Sequence, residues 1–192
     1  MRDAHATIAG SKVRFEFRGK SGIRHAIDLN DPRLAKIIKA CRELPGYELF
    51  QYVDDEGKRQ TIDSADVNTY LREASGEDFT AKDFRTWVGT LLAARALNET
   101  PKFSSTTEAN RHIARAVESV AGRLGNTKAV CRKCYIHPAV LDAYMNGATI
   151  RTVKKRAPAI RGLGEEEAAV VALIERAARL YSLPGAGRRR GG

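Results

Sequence analysis

The N-terminal part of the chain alternates between apolar and polar side chains. Val13, Phe15 and Phe17 are separated by charged residues, and a second alternating run follows over residues 23–29. The four residues between the two runs, 19–22, begin and end with glycine. Alternation with a period of two on both sides of a glycine-bounded turn predicts a β-hairpin.

Helical periodicity, with apolar residues three and four positions apart, dominates the chain that follows. It predicts six helices, over residues 31–44, 64–75, 80–99, 106–125, 128–137 and 164–182. The buried stripe predicted for the third of these consists of five apolar residues: Phe84, Val88, Leu91, Leu92 and Ala96. Residues 2–9 are a candidate third strand, and residues 48–62 predict a short second hairpin. The pattern therefore predicts an α+β fold that is mainly helical, with a small antiparallel sheet at its N-terminal edge.

Charge narrows the choice of partner. The 192 residues include 33 Lys and Arg against 23 Asp and Glu, which gives a formal net charge of +10. A balance this positive favours an anionic partner, and nucleic acid is the leading candidate.

We expect no membrane span, because no stretch approaches about 18 consecutive apolar residues. Since the first residues do not resemble an export signal, we expect the three cysteines to be free thiols in a reducing, cytoplasmic compartment.

The segment CRKCYIHP, residues 131–138, has two interpretations. Cys131, Cys134 and His137 have a spacing that zinc ligands use, and Tyr135 lies between them behind two basic residues. A structural zinc site needs four ligands, and its Cys-x-x-Cys pair normally lies on a tight turn. Here the pair falls within a predicted helix, and the sequence offers no second ligand pair. We therefore predict no metal site and interpret the segment as a basic helix that presents a tyrosine.

Four motifs occur in order along the chain: RGKSGIRH, KDFRTW, RLGNT and CRKCYIH. Together they resemble the catalytic domain of type IB DNA topoisomerases, in the small bacterial and poxvirus-like branch. The resemblance extends from Arg2 to about Tyr181 and implies a catalytic domain like that of the DNA breaking-rejoining enzymes. It implies relaxation of supercoiled double-stranded DNA through transient cleavage of one strand and a 3′-phosphotyrosyl intermediate. It implies no ATP and no other cofactor, and nothing in it requires more than a monomer.

The resemblance assigns four catalytic roles: Tyr135 as the nucleophile, Lys20 as the general acid, Arg85 as a transition-state stabiliser and Asn126 as a transition-state hydrogen-bond donor. A phenol ordinarily keeps its proton at neutral pH, so attack requires loss of that proton or help from nearby positive charge. A guanidinium suits the nonbridging phosphate oxygens, because it is always charged and can bond two of them at once. Lys20, at the tip of the first hairpin, would protonate the 5′-oxygen as it leaves.

Three of these assignments compete with plainer structural explanations. Lys20 also fits a solvated turn residue, and Arg85 also fits an ion pair with a neighbouring carboxylate. Asn126 stands where many family members carry histidine, and its amide brings no charge to the site. Because it follows Gly125, Asn126 also fits an ordinary helix stop.

Four basic residues beside the proposed catalytic groups are candidates for binding DNA phosphates: Arg24, Lys82, Arg132 and Lys133. Phosphate contacts carry no base information, so we expect weak sequence preference. We expect the protein to act in the bacterial nucleoid. Two alternative functions stay open at this point, a tyrosine recombinase or integrase and a catalytically crippled DNA-binding fragment.

We expect residues 1–183 to form the catalytic domain and the Gly/Arg-rich tail 184–192 to be disordered. The resemblance also implies a second transition-state arginine and an N-terminal clamp domain, both upstream of Met1. The chain is therefore expected to be a C-terminal fragment or a truncated reading frame, and strand cleavage by this piece alone is expected to be slow.

Overall fold

The computed structural model describes residues 1–19, 22, 24–154 and 159–181. Lys20 and the predicted disordered tail, residues 184–192, lie outside these described residues. Two compact units make up the chain, Met1–Thr80 and Ala81–Gly192, and each has its own hydrophobic core.

The first unit contains both predicted hairpins and two helices. Its elements are a 3₁₀ turn at Asp3–His5, strands β1 (Ala6–Ala9), β2 (Lys12–Arg18) and β3 (Arg24–Asn30), helix α1 (Pro32–Glu43), strands β4 (Gln51–Val53) and β5 (Arg59–Thr61), and helix α2 (Ser64–Ser75). β1, β2 and β3 form an antiparallel sheet in that order, and β4 pairs with β5. The candidate third strand is therefore confirmed over its second half, as β1, while Asp3–His5 forms the 3₁₀ turn instead.

Alternation along β2 determines which face of this sheet is buried. Val13 and Phe15 belong to the core of the first unit, while the charged residues around them are exposed. α1 begins where the Asp31 carboxylate accepts hydrogen bonds from the main-chain N–H groups of Arg33 and Leu34. This cap satisfies donors that the first turn of a helix leaves unpaired. The helix then contributes its own apolar residues to the core that backs the sheet.

The second unit is helical throughout the ranges that the structure describes. Its helices are α3 (Ala81–Asn98), α4 (Thr106–Leu124), α5 (Lys128–Cys134), α6 (Pro138–Met145), α7 (Ile150–Val153) and α8 (Glu165–Tyr181). In α4, seven buried residues recur at helical spacing between Ala109 and Ala121. The prediction of a mainly helical α+β chain with a small antiparallel sheet is confirmed, although the six predicted helices include neither α6 nor α7.

The buried stripe predicted for α3 is wrong in part. Phe84 and Val88 are about half exposed, at 51% and 44%. The buried face consists of five other residues: Gly89, Thr90, Ala93, Ala94 and Leu97. α3 packs on α4, and small side chains at such an interface allow a close approach of the two helix axes. Ranking the positions by hydrophobicity overlooks this face, because most of its members are small.

The helix predicted over residues 128–137 is shorter than expected. α5 ends at Cys134, and Tyr135 is the residue that follows its last turn. Pro138 accounts for part of the difference, because a proline disfavours helical backbone in the residue directly before it. His137 accordingly has extended backbone, with ψ at 125°, and caps α6. Tyr135 therefore lies in a connection between two helices rather than within one.

No helix in the described ranges combines the length and the apolar character that crossing a lipid bilayer requires.

Candidate active site

Tyr135 lies at the edge of the core of the second unit. Its side chain is half-buried and packs against that core, and the next residue, Ile136, is buried. Its main-chain N–H donates to the carbonyl oxygen of Cys131 at 2.9 Å, which closes the last turn of α5. The backbone is thus anchored on both sides of the ring, while part of the ring stays accessible to solvent.

Arg85 lies beside the tyrosine ring. Its guanidinium carbon is 5.0 Å from the centroid of the Tyr135 ring, a cation–π distance. One of its terminal nitrogens, Nη2, donates to the carbonyl oxygen of Leu124 at 2.8 Å. Among the described residues Arg85 makes no ion pair with a carboxylate. The alternative role that the sequence offered for Arg85, an ion pair with a neighbouring carboxylate, is therefore not observed.

Asn126 shares an acceptor with Arg85. Its Nδ2 donates to the Leu124 carbonyl oxygen at 3.0 Å. Gly125, in left-handed backbone with φ at 64°, ends α4 and turns the chain toward Asn126. The helix-stop interpretation is therefore confirmed, and the catalytic role of Asn126 stays a prediction. A single carbonyl group brings the arginine and the asparagine together.

The two cysteines of the segment have different surroundings. Cys131 is fully buried and Cys134 is exposed. Burial raises the pKa of the Cys131 thiol, and the positive charge of Arg85 partly opposes that shift. Within the part of the chain that the structure describes, no three His, Cys, Asp or Glu side chains are grouped closely enough to hold a metal ion.

The candidate phosphate-binding residues fall in both units. Lys82, Arg132 and Lys133 belong to the second unit and are exposed. These three make no ion pair with any carboxylate in the described ranges. Arg24 is in the first unit, at the start of β3, and lies 3.7 Å from the Glu16 carboxylate. The three candidates in the second unit are thus uncompensated among the described residues, whereas Arg24 already has an acidic partner.

The structure brings together three of the four residues that were assigned catalytic roles. Tyr135, Arg85 and Asn126 meet in the second unit through the contacts above. The fourth, Lys20, lies outside the described residues. Sequence reasoning missed three further residues on α3, namely Thr86, Gly89 and Thr90, which contact the main chain around Tyr135. Their signal was the spacing of small and hydroxylated residues at i, i+3 and i+4 on one side of the helix after Arg85, whereas large apolar residues were sought.

Comparison of the sequence with known proteins identifies the family of this chain. Residues 1–161 match the family model described as eukaryotic DNA topoisomerase I, catalytic core. The chain therefore belongs to that family, and the resemblance to type IB topoisomerases is confirmed.

A named relative agrees with the family match. Over 155 residues the chain is 35% identical to a protein of Acanthamoeba polyphaga mimivirus named DNA topoisomerase 1B. The match covers 76% of this chain and 46% of the viral protein. The chain thus spans about half the length of this relative.

Proposed function

We propose that this chain carries the strand-cleaving centre of a type IB DNA topoisomerase, with the DNA breaking-rejoining fold. In this proposal the Tyr135 oxygen attacks a phosphorus atom in one strand of duplex DNA. A tyrosine–phosphorus bond forms, the bond from phosphorus to the 5′-oxygen breaks, and a 3′-phosphotyrosyl link holds the cut strand. The duplex then swivels to release supercoiling, and the reverse step rejoins the strand. No ATP is consumed, because the link preserves the energy of the broken ester.

The contact between Arg85 and Tyr135 is the observation that carries this proposal. The Arg85 guanidinium carbon lies 5.0 Å from the centroid of the Tyr135 ring. A phenol and a guanidinium that are neighbours in this way can engage the same phosphate group, the phenol oxygen at phosphorus and the guanidinium at the nonbridging oxygens. In a chain of the topoisomerase I family, that pairing favours phosphoryl transfer over a purely structural tyrosine. Preorganised positive charge then stabilises the extra negative charge of the transition state.

Arg85 and Asn126 retain donors for a phosphate. A guanidinium has five N–H groups and a carboxamide has two. In the described residues, one group of each side chain donates to Leu124. The remaining N–H groups are the ones we assign to the nonbridging oxygens, with the charged donor contributing more than the neutral one.

Proton transfer completes the reaction. The phenol releases its proton to solvent as it attacks, and the departing 5′-oxygen takes up a proton to become a hydroxyl. We assign the second transfer to Lys20, from its place in the RGKSG motif. Action as a monomer and a location in the bacterial nucleoid are the remaining parts of the proposal.

Relaxation of supercoiled plasmid, without ATP and without a defined recognition site, tests the function directly. The proposal predicts a ladder of topoisomers that approaches the relaxed form with time. A recombinase would instead require its own site and would exchange strands. Plasmid that is bound but never relaxed, at protein concentrations that saturate the DNA, would contradict the proposal and favour a non-cleaving DNA-binding fragment.

Replacing Lys20 by alanine tests its role as the general acid. We expect cleavage of an ordinary 5′-oxygen ester to slow by about 10²–10⁴-fold, the usual contribution of a positioned acid. A substrate whose leaving group needs no protonation, such as a 5′-thiolate ester, is expected to react at nearly the parent rate. Single-turnover cleavage of both substrates measures the difference, and equal slowing of the two would remove Lys20 from this role.

The exposed charges of α5 predict a salt dependence of DNA binding. Each phosphate contact contributes about −0.9 to the slope of log affinity against log salt concentration. We therefore expect the double substitution Arg132→Ala and Lys133→Ala to make that slope shallower by roughly 1–2. Lys128→Ala is the matched control on the same helix, because Lys128 is already paired with Glu118 at 2.9 Å. Fluorescence anisotropy between low and moderate salt gives both slopes, and a flat dependence in the parent chain would exclude this surface from binding.

A further inference from the structure

Three residues of α3 that come after Arg85 in the sequence contact the main chain around Tyr135. Thr86 Oγ1 lies 3.3 Å from the carbonyl oxygen of Cys134 and 2.8 Å from that of Lys82. A hydroxyl has one proton, so it donates to either acceptor or is shared between them. The contact with Cys134 ties α3 to the residue that precedes the tyrosine.

Thr90, one turn further along α3, holds the other end of the connection. Its Oγ1 accepts the main-chain N–H of His137 at 3.0 Å and donates to the carbonyl oxygen of Thr86 at 2.7 Å. Thr90 is only 1% exposed, so water cannot readily replace either bond. If this hydroxyl were removed, the N–H of His137 would lose its partner in a partly buried setting, which is costly.

Gly89 lies against the main chain of Tyr135 itself. A Cβ atom at this position would lie 2.3 Å from the carbonyl oxygen of Tyr135 and 3.2 Å from its carbonyl carbon. Both are backbone atoms, so the chain would have to move to accommodate even a methyl group. Glycine is therefore required here for contact with the tyrosine main chain, and not for its own backbone conformation.

We propose that Thr86, Gly89 and Thr90 form a backbone clamp that positions Tyr135 against Arg85. The three residues act through main-chain atoms of residues 134–137 and do not touch the reacting groups, so they are positioning residues. The clamp follows Arg85 directly on the same helix. One rigid element thereby sets the location of both the nucleophile and the cation. This inference rests on the proposed function insofar as it concerns cleavage.

The connection between α5 and α6 needs such a device. Tyr135 lies after the last turn of α5, where the regular hydrogen bonds of a helix stop. A displacement of the reacting atoms on the order of 1 Å can cost about 10²-fold in rate. The clamp supplies contacts at Cys134, Tyr135 and His137, which fix the short segment that the helical pattern leaves free.

Fluorine NMR of the full chain labelled with 3-fluorotyrosine tests the clamp without relying on activity. The Tyr135 resonance is identified by its loss in Tyr135→Phe. We expect Thr90→Val, which keeps the shape but removes the hydroxyl, to shift or broaden that resonance, and Thr90→Ser to leave it near its parent position. Thr100→Val is the matched control, two residues after the end of α3: the Thr100 hydroxyl lies 2.8 Å from that of Tyr144, so the Tyr144 resonance should move instead.

Covalent adduct formation on a nicked suicide substrate then tests the consequence for cleavage. At saturating protein we expect Thr90→Val to react at least about tenfold more slowly and Gly89→Ala about 10²-fold more slowly, with DNA affinity within about twofold of the parent. Thr90→Ser should recover most of the rate. Gly122→Ala is the matched glycine control, because a Cβ at that position in α4 meets nothing within 4 Å.

Two results would overturn the clamp. One is a Tyr135 resonance that is unmoved in both Thr90→Val and Gly89→Ala. The other is parent-like adduct formation in both variants. A parent chain that forms no adduct at all would refute the proposed function instead, and the fluorine spectra would still decide whether the three residues hold Tyr135 in place.

Discussion

Tyr135→Phe is expected to form no detectable covalent adduct with DNA while remaining folded. The substitution removes only the phenolic oxygen, which is the atom proposed to attack phosphorus. In the described residues that hydroxyl makes no hydrogen bond, so its loss leaves no partner unsatisfied. We expect the free energy of unfolding to change by less than about 0.5 kcal/mol. Denaturing gel electrophoresis after incubation with a nicked suicide substrate, together with thermal unfolding, measures both quantities.

Two other tyrosines provide contrasting controls. Tyr70 is 68% exposed, and Tyr70→Phe should change neither adduct formation nor stability. The Tyr144 hydroxyl is buried between His112, at 2.7 Å, and Thr100, at 2.8 Å. Tyr144→Phe should therefore cost about 1–3 kcal/mol of stability yet still allow cleavage. If Tyr135→Phe forms as much adduct as the parent chain, the assignment of the nucleophile is wrong.

Arg85→Ala is expected to slow adduct formation by about 10³-fold or more. A cationic donor that stabilises a phosphoryl-transfer transition state contributes about 10³–10⁵ in rate. Arg85→Lys should fall between the alanine variant and the parent, because it keeps the charge but loses the planar fork that bonds two oxygens. Rates at saturating protein separate this effect from DNA affinity, which we expect to change much less.

Arg95→Ala is the matched control for Arg85→Ala. Arg95 lies on the same helix, but its guanidinium pairs with Glu166 at 2.7 Å, in a partly exposed ion pair. Such pairs contribute about 0–1 kcal/mol, so this variant should be slightly destabilised and fully active. An Arg85→Ala chain that cleaves as fast as Arg95→Ala would show that Arg85 only packs against the ring of Tyr135.

Local signals in the sequence were sufficient for the elements that depend on neighbouring residues. The alternation of Val13, Phe15 and Phe17 predicted β2 because one face of a strand must be apolar when the sheet covers a core. Asp31 predicted the start of α1, since a carboxylate at that position satisfies donors only a few residues away. Both features involve contacts that are close in sequence, and both are observed.

Features that depend on distant residues were not predictable in this way. The buried face of α3 packs against segments that are distant in sequence, among them α4 and the main chain around Tyr135. Nothing in the hydrophobicity of Phe84 or Val88 reveals that they are left half exposed. The early end of α5 is a different case, because Pro138 is close in sequence and its effect on the residue before it was not taken into account.

The same distinction between local and distant contacts applies to the candidate site. The family motifs identified Tyr135, Arg85 and Asn126 as candidates, because the type of each side chain can be read directly from the sequence. Those motifs did not indicate that Arg85 and Asn126 share the carbonyl group of Leu124. Nor did they indicate the main-chain contacts made by α3, because main-chain atoms are the same in every residue and only the small and hydroxylated residues of α3 mark one side of these contacts.

Identifying the residue that becomes joined to DNA tests the central claim most directly. The chain contains six tyrosines, so the assignment can fail in a specific way. Adduct from a suicide substrate is digested with nuclease and protease, and the peptide that retains a nucleotide is sequenced by tandem mass spectrometry. The account predicts a 3′-phosphonucleotide on Tyr135, the residue that lies beside the Arg85 guanidinium. A nucleotide on any other side chain, with Tyr135 unmodified, would contradict it.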